Sequence, residues 1–307
     1  MKHALLIINP HAGNARIKER LVDVVDIFVK EGWRIEVCTT QAPLDATRIA
    51  AERGADFDRV ICSGGDGTLN ELVNGVLQIQ DAERRPEIGY IPAGTTNDFA
   101  ASLEIPTAIG QSALLATSDR VLHCDIGCVG ERYFNYFCGF GAFTEVSYAT
   151  SQELKRVLGH PAYLLEGVRS LTSIKSHHCV ITTQEGEQLS GDFLFAAVSN
   201  SYRVAGFSGI WGANIQLDDG LFEVTLVRES KHLEDARDFA ETLLGIRKES
   251  SVILQFKTKG ITFESDSDID WGIDGEFGGK HRRVEITMNP GAVRIVCPRG
   301  SEPGNDR

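Results

Sequence analysis

Val60-Ile61-Cys62-Ser63-Gly64-Gly65-Asp66-Gly67-Thr68-Leu69-Asn70-Glu71 is the stretch on which the reading of this chain turns. An apolar run of strand length opens into three glycines, which let the backbone turn tightly and approach a ligand without interference from Cβ. A helix is expected to follow from about Leu69. The N–H groups left over at a helix start make an anion site. A carboxylate such as Asp66 would repel an anion there unless it held a cation. Mg²⁺ fits, because it is usually held by one or two carboxylates plus phosphate oxygens. Read alone, the segment serves equally well as a tight turn with a solvated aspartate.

Working outward, residues 4–8, 33–38, 59–62 and 87–91 read as strands, and 15–31, 45–53, 69–77 and 96–103 as helices. In the first helix Leu21, Val24, Val25 and Phe28 recur at helical spacing with charges between them. Strands alternating with helices predict an α/β, Rossmann-like domain with a mostly parallel sheet covered on both faces. Ligands of such sheets sit beyond the carboxyl ends of the strands. From about residue 122 the pattern changes to shorter runs, at 121–126, 132–137, 179–183, 193–199, 222–227, 252–256, 261–264 and 284–288. Gly, Asp and Ser clusters separate them, which predicts antiparallel β structure, sandwich-like and β-rich. Helical patterns interrupt it at 151–173 and 233–244. The expected division is 1–121, 122–288 and a polar, disordered tail at 301–307, with 289–300 a candidate to return to the first domain.

The composition excludes several classes. Hydrophobic residues make up 42% and charged residues 24% of the 307, as in ordinary soluble domains. No apolar run reaches membrane-spanning length. Asn9-Pro10 cuts the first apolar run too early for a signal peptide, so a cytoplasmic location is expected. Forty-three acidic against 31 basic residues give a net charge of −12, which disfavours nucleic acid as a partner. It also argues against a polybasic membrane anchor. Seven cysteines, among them Cys124 and Cys128 at C-x3-C spacing, complete no zinc cluster and read as small buried thiols in a reducing compartment.

Two further turns share the expected edge of the sheet. Asn9-Pro10-His11-Ala12-Gly13 follows the first strand, and Pro92-Ala93-Gly94-Thr95-Thr96-Asn97-Asp98-Phe99 follows the fourth. Together with the glycine loop they offer the backbone donors, hydroxyls and amides that a nucleotide requires. The chain carries neither the G-x4-G-K-[ST] of a P-loop nor G-x-G-x-x-G after its first strand. Other residues have plainer readings. His177-His178 is expected to be a surface pair without an acidic partner, and His160 sits beside Pro161 in a helix-breaking loop. Trp33, Trp211 and Trp271 read as packing residues. Lys155 and Arg156 next to the apolar segment 163–165 read first as a packed helix and second as a surface for anionic lipid.

Taken in order, Asn9-Pro10-x-Ala12-Gly13, Gly64-Gly65-Asp66-Gly67-Thr68 with Asn70-Glu71, and Pro92-x-Gly94-Thr95-x-Asn97-Asp98 resemble the bacterial diacylglycerol kinase-like lipid kinases. Asp125-x-Gly127, Gly139-Phe140-Gly141, Asp218-Asp219-Gly220 and Asp274-Gly275-Glu276 extend the resemblance over nearly the whole chain. The glycine loop alone is shared with NAD kinases and phosphofructokinases; the full series is the specific part.

The resemblance implies an ATP-dependent lipid kinase with Mg²⁺ as its cofactor and a nucleotide cleft between two domains. ATP would be gripped by Asn9, Pro10, His11, Ala12 and Gly13, by Thr40, by Gly64, Gly65, Asp66, Gly67, Thr68, Leu69, Asn70 and Glu71, and by Thr95, Asn97 and Asp98. Asp66 and Asp125 would line the transfer site and help place the catalytic Mg²⁺. The segment at 274–276 would supply the base for the acceptor hydroxyl, with Glu276 favoured and Asp274 as its partner or a metal ligand. Read alone, that segment is a β-turn between strands. A second, structural Mg²⁺ would fall at Asp219 and the Leu221 carbonyl, with Gln216 at a position where some relatives carry aspartate. Read alone, Asp218-Asp219-Gly220 is a hairpin turn.

The acceptor implied first is diacylglycerol, with phosphatidylglycerol or a sphingoid base as alternatives, received in a hydrophobic cleft during transient contact with a membrane. A homodimer is a candidate assembly. Two rivals stand. An NAD kinase shares the glycine loop but lacks the 92–98 segment. A non-catalytic nucleotide-binding regulator would keep the ATP site, although the carboxylates at 66, 274 and 276 give no sign of a dead one.

Overall fold

Apolar strands alternating with two-faced helices build a parallel sheet in the first part of the chain. Strand β1 (Lys2–Ile8) is buried from Ala4 onward. It pairs in parallel with β2 (Trp33–Thr39) on one side and β3 (Arg59–Gly64) on the other. β3 in turn pairs in parallel with β4 (Glu87–Pro92). The connecting helices are α1 (Arg16–Lys30), α2 (Asp45–Arg53) and α3 (Asp66–Leu77), followed by the shorter α4 (Asp98–Ser102) and α5 (Ile109–Leu115). Alternate side chains of a strand point to opposite faces. Ala4, Leu6 and Ile8 therefore share a core with Ile17, Val24 and Phe28 of α1 and with Ala113 of α5, while Leu5 and Ile7 are equally buried on the other face. At the start of β3 the fully buried Arg59 is satisfied by Glu87, by the Ala116 and Ser118 carbonyls and by the Trp33 ring.

This computed structural model describes residues 1–13, 16–141, 175–201, 203, 215–229 and 250–300. The chain divides into two compact units, Met1–Ile126 with Asn289–Arg307, and Gly127–Met288. Strand β5 (Val121–Val129) begins in the first unit, and its end pairs antiparallel with β6 (Arg132–Phe134). The second unit continues with β7 (Phe137–Gly141), β8 (His177–Thr183), β9 (Gln188–Ser199), β10 (Phe222–Arg228), β11 (Ile253–Thr258), β12 (Gly260–Ile273) and β13 (Glu276–Val296). β7 and β8 lie end to end between β9 and β12, with antiparallel pairing on both sides. β10 and β11 extend the sheet beyond β9, and the first half of β13 extends it beyond β12. Its core centres on Phe140, Phe263 and Trp271, whose rings meet edge-on with centroids 5.1 to 6.0 Å apart. The last part of β13 belongs to the first unit, where Ile295 pairs in parallel with Ile88 of β4.

Several sequence expectations change in detail. α3 starts at Asp66, three residues earlier than expected, so half of the glycine loop is helical. The run at 132–137 is two strands, with Asn135 and Tyr136 between them. β12 and β13 extend well beyond 261–264 and 284–288, and the helix expected at 96–103 is confined to Asp98–Ser102. His178 does have an acidic partner: its Nδ1 lies 2.9 Å from Asp192, directly across the β8–β9 ladder. Trp33 and Trp271 are buried packing residues. All seven cysteines are free, and burial pushes the Cys62 and Cys138 thiols up, so they behave as small apolar groups. The helices expected at 151–173 and 233–244, with Lys155, Arg156, His160 and Trp211, lie outside the described residues, as does the tail at 301–307.

Candidate active site

In the first unit, three loops leave the carboxyl ends of β1, β3 and β4 and knit together through their backbones. The N–H of Asn9 donates to the Ser63 carbonyl at 2.9 Å, and that of Ala93 donates to the Gly64 carbonyl at 2.7 Å. The Asn9 side chain donates through Nδ2 to Thr68 Oγ1 at 3.1 Å and accepts the His11 N–H on Oδ1 at 3.0 Å. The Asn97 side chain closes the third loop on itself, bonding both the N–H and the carbonyl of Gly94 at 2.9 Å. The approach of these backbones leaves no room for side chains. A Cβ on Gly94 would lie 2.5 Å from the Gly65 Cα, and one on Gly13 would lie 2.3 Å from the Ala93 carbonyl oxygen.

At the centre of this knot α3 starts without a side-chain cap, behind an extended Gly65. The Leu69 N–H already bonds the Gly65 carbonyl. The N–H groups of the first helical turn, at Asp66, Gly67 and Thr68, are the ones that a helix start leaves over, and the helix dipole favours negative charge beside them. Asp66 is the exception in that surrounding. Its carboxylate accepts the N–H of Asp98 at 3.1 Å and that of Phe99 at 3.2 Å, which ties α3 to the start of α4. Burial pushes its pKa up to about 6 and the neighbouring Asp98 adds to the push, while backbone hydrogen bonds from 97 to 99 pull it back. A carboxylate held this way beside a second, buried one is short of positive charge. A cation with phosphate oxygens as its other ligands fits that deficit.

The other expected nucleotide contacts divide by what their atoms are already doing. Pro10, His11, Ala12, Gly13 and Thr95 are exposed or half-buried at the rims of the loops, and Thr40 is buried, its N–H donating to the Ile8 carbonyl. Leu69 is fully buried, so its side chain belongs to the core. The Asn70 side chain accepts from Asn74 at 3.2 Å. Glu71 faces α2, where its carboxylate accepts the Ala46 N–H at 3.2 Å. Asp125 is buried and accepts the Gly291 N–H at 2.7 Å.

In the second unit, the turn between β12 and β13 separates its two carboxylates by task. Asp274 and Gly275 both have positive φ, at 48° and 82°, as the centre of a type I′ hairpin turn requires, and Ile273 pairs with Glu276 across it. The buried Asp274 carboxylate accepts three consecutive N–H groups, from Asn135 at 2.6 Å and from Tyr136 and Phe137 at 3.0 Å. This is what splits the 132–137 run. Glu276 has a 63% exposed side chain, and Oε2 accepts from Arg132 Nη2 at 2.9 Å.

At the expected structural Mg²⁺ position Asp219 is in contact with a lysine. Asp219 accepts the Leu221 N–H on Oδ1 at 3.1 Å, and its Oδ2 takes the Lys257 ammonium at 2.9 Å. The same ammonium lies 2.9 Å from Glu223, while Gln216 is exposed. Among the described residues no three His, Cys, Asp or Glu side chains cluster as metal ligands. Both Asp219 oxygens thus have donors, and a single ammonium is shared between the Asp219 and Glu223 carboxylates.

Sequence reasoning missed Tyr90, whose buried hydroxyl lies 3.4 Å from the Gly64 carbonyl and from Asn97 Oδ1. It also missed Gly291 behind Asp125, and Arg132 beside Glu276. No local motif marks these residues; each acts on a partner distant in sequence, visible only through strand register.

Comparison with known proteins agrees with this layout. The model of the diacylglycerol kinase catalytic domain matches residues 3–129, and that of the YegS C-terminal NAD kinase beta sandwich-like domain matches residues 139–297. The chain is 32% identical over 302 residues to a diacylglycerol kinase of Bacillus subtilis (strain 168), covering 94% of this chain and 97% of the relative. A diacylglycerol kinase of Staphylococcus aureus (strain MRSA252) is 33% identical over 281 residues, covering 91% and 87%. Among solved structures, a candidate diacylglycerol kinase from Bacillus anthracis str. Sterne aligns with a TM-score of 0.81 and 26% identity, covering 97% of this chain and 98% of that one. With its motifs, both units and nearly its full length matched, the chain belongs to the bacterial diacylglycerol kinase family.

Proposed function

We propose that this protein transfers the γ-phosphate of ATP to a lipid hydroxyl, with diacylglycerol as the acceptor. The observation that carries the reading is the uncapped start of α3 with the half-buried Asp66 beside it. Backbone donors for phosphate and a carboxylate short of positive charge stand at one place, as a metal–nucleotide site requires. The knotted loops at 9–13, 64–68 and 93–97 orient the triphosphate. A Mg²⁺ held by Asp66, with Asp98 and Asp125 as further candidate carboxylates, would neutralise charge on the transferred group when bound.

Glu276 is the better candidate for the base, because Asp274 already accepts three backbone N–H groups and Glu276 keeps one oxygen unbonded among the described residues. The acceptor hydroxyl gives its proton to that oxygen. Its freed electron pair forms the new O–P bond, and the broken P–O bond leaves its pair on ADP. Phosphoryl transfer asks little more of a protein than this positioning and charge neutralisation. No helix among the described residues is long and apolar enough to cross a membrane. Because the acceptor is a lipid, we place the reaction at a membrane surface.

The test is purified protein with labelled ATP, Mg²⁺ and a panel of diacylglycerol, phosphatidylglycerol, a sphingoid base and NAD. Label is expected in diacylglycerol, and Asp66→Ala should abolish it. Label in NAD alone, or in nothing while ATP still binds, overturns the reading.

A further inference from the structure

Arg132 lies at the start of β6, opposite Val129 of β5 and outside every motif of the chain. Its guanidinium reaches the β12–β13 turn and contacts two consecutive residues there. Nη2 donates to Glu276 Oε2 at 2.9 Å, and Nη1 donates to the Phe277 carbonyl at 3.3 Å. We propose that Arg132 is a positioning residue that aims the Glu276 carboxylate at the acceptor hydroxyl, an inference that rests on the reading of Glu276 as the base.

An exposed glutamate samples many rotamers, and most of them point away from any one acceptor. The planar guanidinium offers donors in a fixed fork. Here one arm holds the carboxylate and the other holds the backbone just beyond it, so the side chain is tied to its own strand. Only Oε2 is engaged. Among the described residues Oε1 has no hydrogen-bond partner and is left to receive the proton. The same stretch of chain grips the turn from its other side, where the N–H groups of Asn135, Tyr136 and Phe137 hold Asp274. Segment 132–137 thus holds the two-residue turn on one side and the base just after it on the other. The pair is partly solvated, with side chains 35% and 63% exposed, so it adds little to stability and its value is orientation.

The experiment is a double-mutant cycle on the full chain, with Arg132→Met and Arg132→Lys each made alone and with Glu276→Gln. Steady-state transfer to diacylglycerol and thermal melting are measured for every variant. Arg132→Met should lower kcat by about 10- to 100-fold, the cost of a misaimed catalytic group. KM for ATP should stay within about twofold, the melting temperature should hold, and lysine should recover part of the loss. In the Glu276→Gln background the same substitution should cost less than about twofold more, since coupled residues do not add. An unchanged kcat in Arg132→Met, or losses that add fully to those of Glu276→Gln, overturns the inference and leaves the base intact. Wild-type turnover by Glu276→Gln sinks the base itself, and the inference with it. Should Arg132→Met fail to fold, Arg132→Lys decides: a lower kcat at constant KM supports the role, and an unchanged kcat removes it.

Discussion

Set side by side, the β3–α3 junction of the first unit and the β12–β13 turn of the second use the same device to opposite ends. Each anchors an aspartate on consecutive backbone N–H groups of a neighbouring segment. Asp274 takes three of them, at 2.6 to 3.0 Å, and is buried as a structural clamp. Asp66 is held more loosely by the N–H groups of 97 to 99, at 3.1 Å from Asp98 and 3.2 Å from Phe99, and burial with Asp98 alongside pushes its carboxyl up to about 6. Backbone N–H groups stabilise a carboxylate only when they outweigh its desolvation and its like-charged neighbours. Asp274 therefore locks a fold, while Asp66 remains poised for a counter-ion. The length of the bonds and the second carboxylate beside Asp66, not residue type, separate the two.

The comparison breaks first at Asp66. Asp66→Asn should cut kcat by about 10³-fold, the equivalent of several kcal/mol of charge stabilisation, while ATP binding falls far less. Its melting temperature should be no lower than that of the wild type at pH 8. Because the folded-state pKa is raised, the stabilising contribution of this group is present below its ordinary value and is lost as pH rises through about 6. A large destabilisation by Asp66→Asn, read by denaturant titration, would make Asp66 a clamp like Asp274. The converse is Asp274→Ala, which should destabilise by about 3–5 kcal/mol because it strands three buried N–H groups. Unfolding in urea measures this, and a change near zero removes the distinction.

A third test uses protons. Mg²⁺ must compete with a proton at Asp66, so its apparent affinity should rise up to about tenfold per pH unit below about 6 and level off above. A flat profile between pH 5 and 7 shows that no cation is held there. The smallest effect belongs to Lys257, which faces Asp219 and Glu223. Lys257→Met should cost about 1–2 kcal/mol, discounted for its partial exposure, since the Glu223 carboxyl is already pushed up to about 7 by burial and loses the cation that pulls it back. If lysine has taken the cation's place, millimolar Mg²⁺ should raise the melting temperature of Lys257→Met and leave the wild type unmoved. A wild-type shift of equal size supports a structural metal at Asp219.

Local patterning made the first unit readable. The spacing of Leu21, Val24 and Phe28 and the apolar runs at 4–8 and 60–62 carry their burial in their own order. The start of α3 was less visible because Gly-Asp-Gly has poor helix propensity, and packing against β3 and α2 overrides it. In the second unit the information is long-range. The break at Asn135 and Tyr136 depends on a carboxylate at 274. The middle of β12 runs through exposed Asp266, Ser267 and Asp268, where register with β13 shifts, so no alternation reveals a strand. Asp274 and Glu276 stood out as a pair, but their division of labour required the hydrogen bonds.

The last strand also orders events during synthesis. Residues 289–296 finish the first unit by adding to the edge of β4, yet they leave the ribosome after everything in the second unit. Until then β4 has an open edge, the kind of surface that invites mispairing and that chaperones cover. Any nascent chain long enough to complete the sheet behind the three knotted loops therefore already carries Asp274 and Glu276.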